Sequence, residues 1–455
     1  MIRRWNRWSG WVGSLALLTC LGPLAACEPA ESVADGERGA QAYPERVVAT
    51  WTEDPATGFR VTWRDWKEVD PLDLDSWTGR QGLRAQIRAA DSSIPPVGST
   101  DEVPSELHAV LTDYTQPGGG TEPLLPPRAH YSVAFTGLTA DRIYQYRVGE
   151  PGSWSPWFHF RTAADPGASA GRPPQTFVFL GDIQEGIHDW GGRAFRVAIR
   201  AAPRALAILH GGDQVDDGGT EQQWGEWFDA GGATLAEVAQ LPAAGNNEHP
   251  RDGSGRRTLT PAWDAHFGLP STGPDGPGSP VYTVAANGIR FLVLDSSAEP
   301  WIQEQTEWMR EVLGNAAEDW VIALFHHPLF SVRGRDNQAL REAWMPVFQE
   351  YGVDLVLQGH NHLYARSGLV EGSVYVISNA GAKMNPVERE DSRMVSVAEG
   401  EQRIQVIRVE DERLEYQSCG MDERVKDAFL LVRTKDGDRA LEDLEIGGPC
   451  GWGDL

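Results

Sequence analysis

Cationic side chains are scarce in this sequence: 40 Lys and Arg stand against 65 Asp and Glu, for a formal charge of −25. A chain so acidic has no basic footprint with which to hold a nucleic acid through its phosphates. An anionic substrate would need local positive charge, such as a bound metal ion, to be drawn in. Cysteine is scarce too, at 4 in 455 residues, and neither Cys419 nor Cys450 looks like a metal ligand. After the N-terminal stretch, no run approaches the roughly 20 apolar residues needed to cross a bilayer. The length, with 41% hydrophobic residues, leaves room for two domains and a sizeable core.

What is present begins with a targeting segment. Arg3, Arg4 and Arg7 are followed by apolar Leu15-Ala16-Leu17-Leu18, and Leu24-Ala25-Ala26-Cys27 ends the segment on small residues before a cysteine. Residues 1–26 are therefore expected to be a signal peptide. Leu-Ala-Ala-Cys resembles the bacterial lipobox, which implies lipidation of Cys27 and an exported, membrane-anchored lipoprotein, periplasmic or at the cell surface. The plainer alternative is an ordinary signal peptide in which Cys27 is incidental. Cys20 leaves with the signal, so Cys419 and Cys450 remain, as one disulfide in an oxidising compartment or as two buried thiols. Residues 27–43, rich in Glu, Ala and Gly, read as a tether.

From 44 to 162 the pattern alternates, in runs such as Val47–Trp51, Phe59–Trp63, Tyr131–Phe135, Tyr144–Val148 and Trp157–Phe160. No helical stripe interrupts them, which predicts an all-β sandwich. Thr136-Gly137-Leu138 ahead of Tyr144-x-Tyr146-x-Val148 resembles the fibronectin type III pattern. The Pro- and Gly-rich piece at 93–128 is expected to be an inserted loop. No catalytic constellation is visible here, and residues 163–173 read as a linker.

From 174 to 455 the pattern changes to strand, helix, strand. Thr176–Leu180 runs into Gly181-Asp182, Ala205–Leu209 into His210-Gly211-Gly212-Asp213, and Leu241–Ala244 into Gly245-Asn246-Asn247-Glu248-His249. Trp320–Phe325 runs into His326-His327, and Val353–Leu357 into Gln358-Gly359-His360-Asn361-His362. Continuous apolar runs read as strands buried on both faces, and α/β sheets place ligands at the carboxyl ends of such strands. Helices are expected over 191–202, 303–313 and 337–351. Carboxylate, amide and imidazole donors together suit divalent Mg, Mn, Zn or Fe.

The ordered set Asp182, Gly212-Asp213, Gly245-Asn246, His326 and Gly359-His360-x-His362 resembles the calcineurin-like metallophosphoesterases. The β-sandwich in front makes the chain similar to the purple acid phosphatases. The resemblance implies an α/β domain of two sheets flanked by helices, phosphoric mono- or diester substrates, and two divalent ions that activate water against phosphorus. It makes Asp213 the bridging carboxylate, puts Asp182 and His362 on the first ion, and puts Asn246, His326 and His360 on the second. His327 would shape the pocket, Asp295 would be a structural hydrogen-bonding residue, and Arg366 would contact phosphate or pair with an acid.

Three positions depart from the family pattern. Asp182-Ile183-Gln184 stands where the wider family has Asp-x-His, and Asp216 stands where purple acid phosphatases have a tyrosine. Asp216 or Gln184 could supply oxygen to the first ion instead. Asn247 replaces the histidine that serves the leaving group, and an amide cannot act as a general acid; His249 could reach the site only from a rearranged loop. A second reading is therefore a surface lipoprotein that keeps the metal fold for binding, with catalysis impaired.

Overall fold

The computed structural model describes residues 43–68, 83–90, 101–104, 106–111, 128–165, 174–251, 255–274, 279–297, 301–334, 337–434 and 438–452. The expected signal peptide, Cys27, the tether apart from Tyr43, and the linker beyond Asp165 lie outside the described residues.

The N-terminal part is built from β1 (Glu45–Trp51), β2 (Phe59–Glu68), β3 (Arg84–Ala89), β4 (Asp101–Pro104), β5 (Glu106–Leu111), β6 (Arg128–Phe135), β7 (Ile143–Glu150), β8 (Ser153–Trp154) and β9 (Phe158–Arg161). They form two antiparallel sheets, ordered β1-β2-β6-β5 and β4-β3-β7-β8, with β9 also paired to β7. Alternation decides which side chains face inward. Tyr144, Tyr146 and Val148 of β7 are buried, and Phe59 from the other sheet meets Tyr146 and stacks on Phe160 at 4.0 Å. The stretch expected as a loop at 93–128 contains β4 and β5. Both are short, β4 ends on Pro104 and a single position separates them, so no alternation long enough to read survives there.

The second part has two seven-stranded mixed sheets. The strands are β10 (Gln175–Leu180), β11 (Ala207–His210), β12 (Ala239–Pro242), β13 (Tyr282–Ala286), β14 (Ile289–Val293), β15 (Trp320–Leu324) and β16 (Leu355–Gln358). There follow β17 (Tyr364–Val370), β18 (Ser373–Ile377), β19 (Met394–Ala398), β20 (Arg403–Glu410), β21 (Arg413–Gly420), β22 (Val425–Arg433) and β23 (Arg439–Asp443). One sheet runs β12-β11-β10-β20-β21-β22-β23 and the other β13-β14-β15-β16-β18-β17-β19. In the first, β10, β11 and β12 are parallel; in the second, β14, β15, β16 and β18 are. The helices Gly192–Ala201, Ile302–Gly314 and Gln338–Tyr351 lie within a residue of the ranges read from sequence. The last buries Leu340, Trp344, Val347 and Phe348.

The two sheets meet where their parallel strands end. An isolated bridge joins Asp182, just past β10, to Asn379, just past β18, and brings the carboxyl ends of β10, β11, β15 and β16 to one place. Cys419, at the end of β21, is bonded to Cys450. This settles the alternatives left by the sequence in favour of a disulfide.

The sandwich is locked to the α/β part. Trp51 packs on Phe291 at 5.9 Å, Thr50 and Thr62 donate hydroxyl protons to the carbonyls of Gly268 and His266, and Tyr146 donates to the carbonyl of Ala236. Arg46 and Arg64 both pair with Glu221, the first residue of the helix Glu221–Gly231. One hydrophobic core runs through both parts.

Candidate metal centre

The strand ends deliver the donors, two of them after β16, and the backbone there is forced. Asp213, His360 and His362 all adopt positive φ, at 49°, 72° and 53°, a left-handed conformation that is uncommon for non-glycine residues, although Asp and His enter it more readily than most. Glycine is required beside them. A Cβ on Gly245 would lie 2.2 Å from Oδ1 of Asp213, and one on Gly359 would lie 2.6 Å from Oδ2 of Asp182. These two contacts account for the Gly in Gly245-Asn246 and in Gly359-His360.

One half of the centre is a set of donors facing one another. Nε2 of His326 lies 3.2 Å from Oδ1 of Asn246, 3.2 Å from Nδ1 of His360 and 3.3 Å from Oδ2 of Asp213. The other nitrogen of His326, Nδ1, donates to the carbonyl of Gly211 at 2.9 Å, which turns Nε2 toward the cluster. Asn246 donates its amide N–H to Oδ1 of Asn247, so its own oxygen faces inward. Donors about 2.1 Å from a tetrahedral ion stand about 3.4 Å apart, so these separations fit a divalent ion. Burial works against a charge on His326, yet the Asp213 carboxylate raises its pKa to about 9. An ion bound there must displace that proton.

The other half differs. Asp182, Asp213 and His326 form a buried group able to hold an ion, and Asp182 accepts the His360 backbone N–H on both oxygens, at 3.0 and 2.8 Å. Burial pushes the Asp182 carboxyl up to about 7. Between Asp182, Asp213 and His362, however, stands the side-chain nitrogen of Gln184. It lies 2.9 Å from Oδ2 of Asp213, 2.7 Å from Nε2 of His362 and 3.5 Å from Oδ1 of Asp182. Gln184 therefore presents nitrogen, not the oxygen expected of a ligand. Its Oε1 accepts from Asn247 Nδ2 at 2.6 Å and from the Lys383 ammonium at 3.2 Å. Asp216 is half exposed and pairs with Lys383 at 3.3 Å, outside the donor cluster.

The remaining residues singled out in the sequence fall elsewhere. Asn247 is held on several sides: its N–H donates to Oδ1 of Asp213, and its amide to Gln184 and to the carbonyl of Val215. His249 is buried, with Nδ1 2.8 Å from the Gly245 carbonyl and Nε2 3.0 Å from Oδ2 of Asp295. It braces the loop from behind rather than reaching into the donor cluster, and Asp295 has the structural role expected of it. Arg366 pairs with Asp427 through Nε and Nη2, at 2.7 and 3.0 Å, and with Asp443, so of its two alternatives it is the acid partner that the fold provides. The His327 ring packs 4.4 Å from that of His360, with Nδ1 3.0 Å from the Ser296 hydroxyl.

Three residues escaped the sequence reading. Glu248, fully buried, accepts the backbone N–H groups of Asp213, Gln214, Val215 and Gly245. Asn385 sets its amide 3.0 Å from Nδ1 of His362. Lys383 is the third. Only Glu248 stood in a motif, as the acid after Gly-Asn-Asn; the other two lie in a loop without periodicity.

Parallel strand ends from two sheets gather carboxylate, amide and imidazole donors, and residues 175–364, which contain most of them, match the family model for calcineurin-like phosphoesterases. Residues 44–162 match the purple acid phosphatase N-terminal domain. The chain thus carries a calcineurin-like phosphoesterase domain behind a purple acid phosphatase N-terminal domain. It is 28% identical to an uncharacterized protein of Mycobacterium tuberculosis, over 52% of this chain and 51% of that one. It is 25% identical to purple acid phosphatase 15 of Arabidopsis thaliana, over 55% and 53%. The chain spans about half the length of the curated relatives it matches. Among solved structures, the fold is similar to a purple acid phosphatase from yellow lupin (Lupinus luteus) seeds, with a TM-score of 0.71 and 17% identity over 87% of this chain and 75% of that one.

Proposed function

We propose that this chain is an exported, metal-dependent hydrolase of phosphoric esters, mono- or diesters, tethered to a membrane by lipid on Cys27. The observation that carries the reading is the convergence of His360 Nδ1, Asn246 Oδ1 and Asp213 Oδ2 within 3.3 Å of His326 Nε2. Asp213, Asn246, His326 and His360 would hold a divalent ion there, and such an ion would supply Lewis acidity for attack on a phosphoric ester.

The residues of the chain position and charge the site. Gly211 aims His326, and Glu248 gathers the N–H groups that shape the Asp213 loop. Cations stand near the rings in an otherwise acidic chain. Burial lowers the pKa of His362 to about 4, with Lys383 and Arg333 adding to it, and burial lowers that of His360 to about 3, with Arg257 contributing. Their local field favours an anionic ester.

One observation favours the alternative, a surface lipoprotein that binds without turnover. Asn247 is fully engaged and His249 faces Asp295, so neither offers a proton to a leaving group. General acid catalysis is worth about 10² to 10⁴ in rate, and esters with good leaving groups depend on it least. The test is hydrolysis of an aryl phosphate monoester and diester by the detergent-solubilised chain, stripped of metal and then given Mn²⁺, Zn²⁺ or Fe²⁺. Turnover that requires metal and disappears in Asp213→Asn supports the hydrolase. Metal binding with neither ester cleaved supports the binding protein.

A further inference from the structure

Asp182, Asp213 and His362, the three residues that the resemblance assigns to a first ion, converge on a side chain of the protein itself. The Gln184 nitrogen is within 3.5 Å of a donor atom of each. A carboxamide nitrogen carries two N–H donors and no lone pair to offer a metal. The orientation of the amide is set by its other end. Lys383 can only donate, and its ammonium lies 3.2 Å from Gln184 Oε1. Turning the amide over would set nitrogen against that ammonium and bring oxygen to 2.9 Å from the Asp213 carboxylate. Asn247 secures the same oxygen at 2.6 Å.

Charge is provided for as well. Lys383 also reaches Asp216 at 3.3 Å and Glu185 at 3.6 Å. An ammonium paired with these two acids therefore stands against the outer end of the Gln184 carboxamide. On the other side of Asp213, His326 Nε2 faces Asn246 Oδ1, His360 Nδ1 and Asp213 Oδ2, the last of which also accepts from Gln184 Nε2 at 2.9 Å.

Resting on the functional reading above, we infer that this chain binds one divalent ion, through Asp213, Asn246, His326 and His360, and that the Gln184 carboxamide, anchored by Lys383 and Asn247, fills the place of a second. The centre is then mononuclear by construction. Asp182 and His362 serve as hydrogen-bonding partners of Gln184 rather than as ligands.

The test is a count. The full chain in detergent is stripped with chelator, equilibrated with Mn²⁺, freed of unbound metal, and assayed for metal per chain, with the electron paramagnetic resonance spectrum recorded in parallel. One equivalent with the spectrum of an isolated Mn²⁺ is expected; two equivalents with a spin-coupled spectrum would overturn the inference. Gln184→His replaces the donor amide with a ligand, and Gln184→Ala removes it without adding one. Either folded variant should bind a second equivalent, and a count that stays at one in both would show that Gln184 is not what excludes the ion. Aryl phosphate turnover on the same samples separates the two conclusions. One ion without turnover removes the hydrolase and leaves the count standing, whereas two ions with turnover does the reverse.

Discussion

The Glu248 carboxylate holds the backbone of Asp213 in place: Oε2 accepts the Asp213 N–H at 2.9 Å, and the same carboxylate takes the N–H groups of Gln214, Val215 and Gly245. Two strand-end loops are thereby tied to one buried anion, although 35 residues separate Glu248 from Asp213. Burial, with the Asp213 charge beside it, pushes this carboxyl up to about 7. The loops are held at a cost in solvation that their hydrogen bonds offset.

Glu248→Ala would leave several buried N–H groups without an acceptor. Each such loss costs about 1 to 3 kcal/mol, so a drop of about 3 kcal/mol or more is expected in denaturant titration. Metal affinity should fall by about 10- to 100-fold, as when other supports of ligands are removed. Calorimetric titration with Zn²⁺ on folded protein checks the second effect separately.

Asp427→Asn should loosen the junction between the two sheets. Arg366 and Asp427 are both nearly buried and paired through two hydrogen bonds. Arg366 keeps Asp443, so losing the Asp427 charge costs about 1.5 to 3 kcal/mol, the range for a hydrogen bond to a charged group. Burial alone would raise the Asp427 pKa, but Arg366 lowers it below the usual carboxylate value. The pair therefore stabilises the fold fully above the unfolded value of about 4, and the contribution is lost as pH falls through the folded one. Melting temperatures of wild type and Asp427→Asn should differ clearly at pH 7 and draw together at acid pH.

His249 behaves in the opposite sense. Burial opposes its charge, but Asp295 3.0 Å away overcomes that and raises its pKa. The stabilisation is full below the unfolded value of about 6.5 and fades as pH rises through the folded one. Asp295→Asn should destabilise the chain most near pH 6 and least at alkaline pH. A constant difference across that range would contradict the pairing.

Cleaving Cys419–Cys450 should cost about 2 to 4 kcal/mol, because the bond closes a loop over a sequence separation of 31. Denaturant midpoints with and without reductant, compared with Cys450→Ser, measure this. A midpoint indifferent to reductant would place the stability elsewhere.

Much of this was legible in the sequence for one reason: an apolar run followed by Gly and a polar residue marks a strand end. Repetition of that signal located the residues that the two sheets bring together. Strand order was not legible. β20 inserts beside β10 although 222 positions lie between the end of one and the start of the other in the chain, and no local pattern carries a pairing of that range. Side-chain direction was equally hidden. Gln184 could be counted as an oxygen donor until Lys383, in a loop without periodicity, was seen to claim the oxygen. His249 belongs to Asp295 for the same reason, since the partner is supplied by a distant strand.

The left-handed backbone at Asp213, His360 and His362 implies a trade between stability and binding. An L-residue there gives up about 1 to 2 kcal/mol relative to glycine, so His362→Gly should fold more stably than His362→Ala even though both lose the same imidazole. Selection for thermal tolerance alone would tend to erase these side chains.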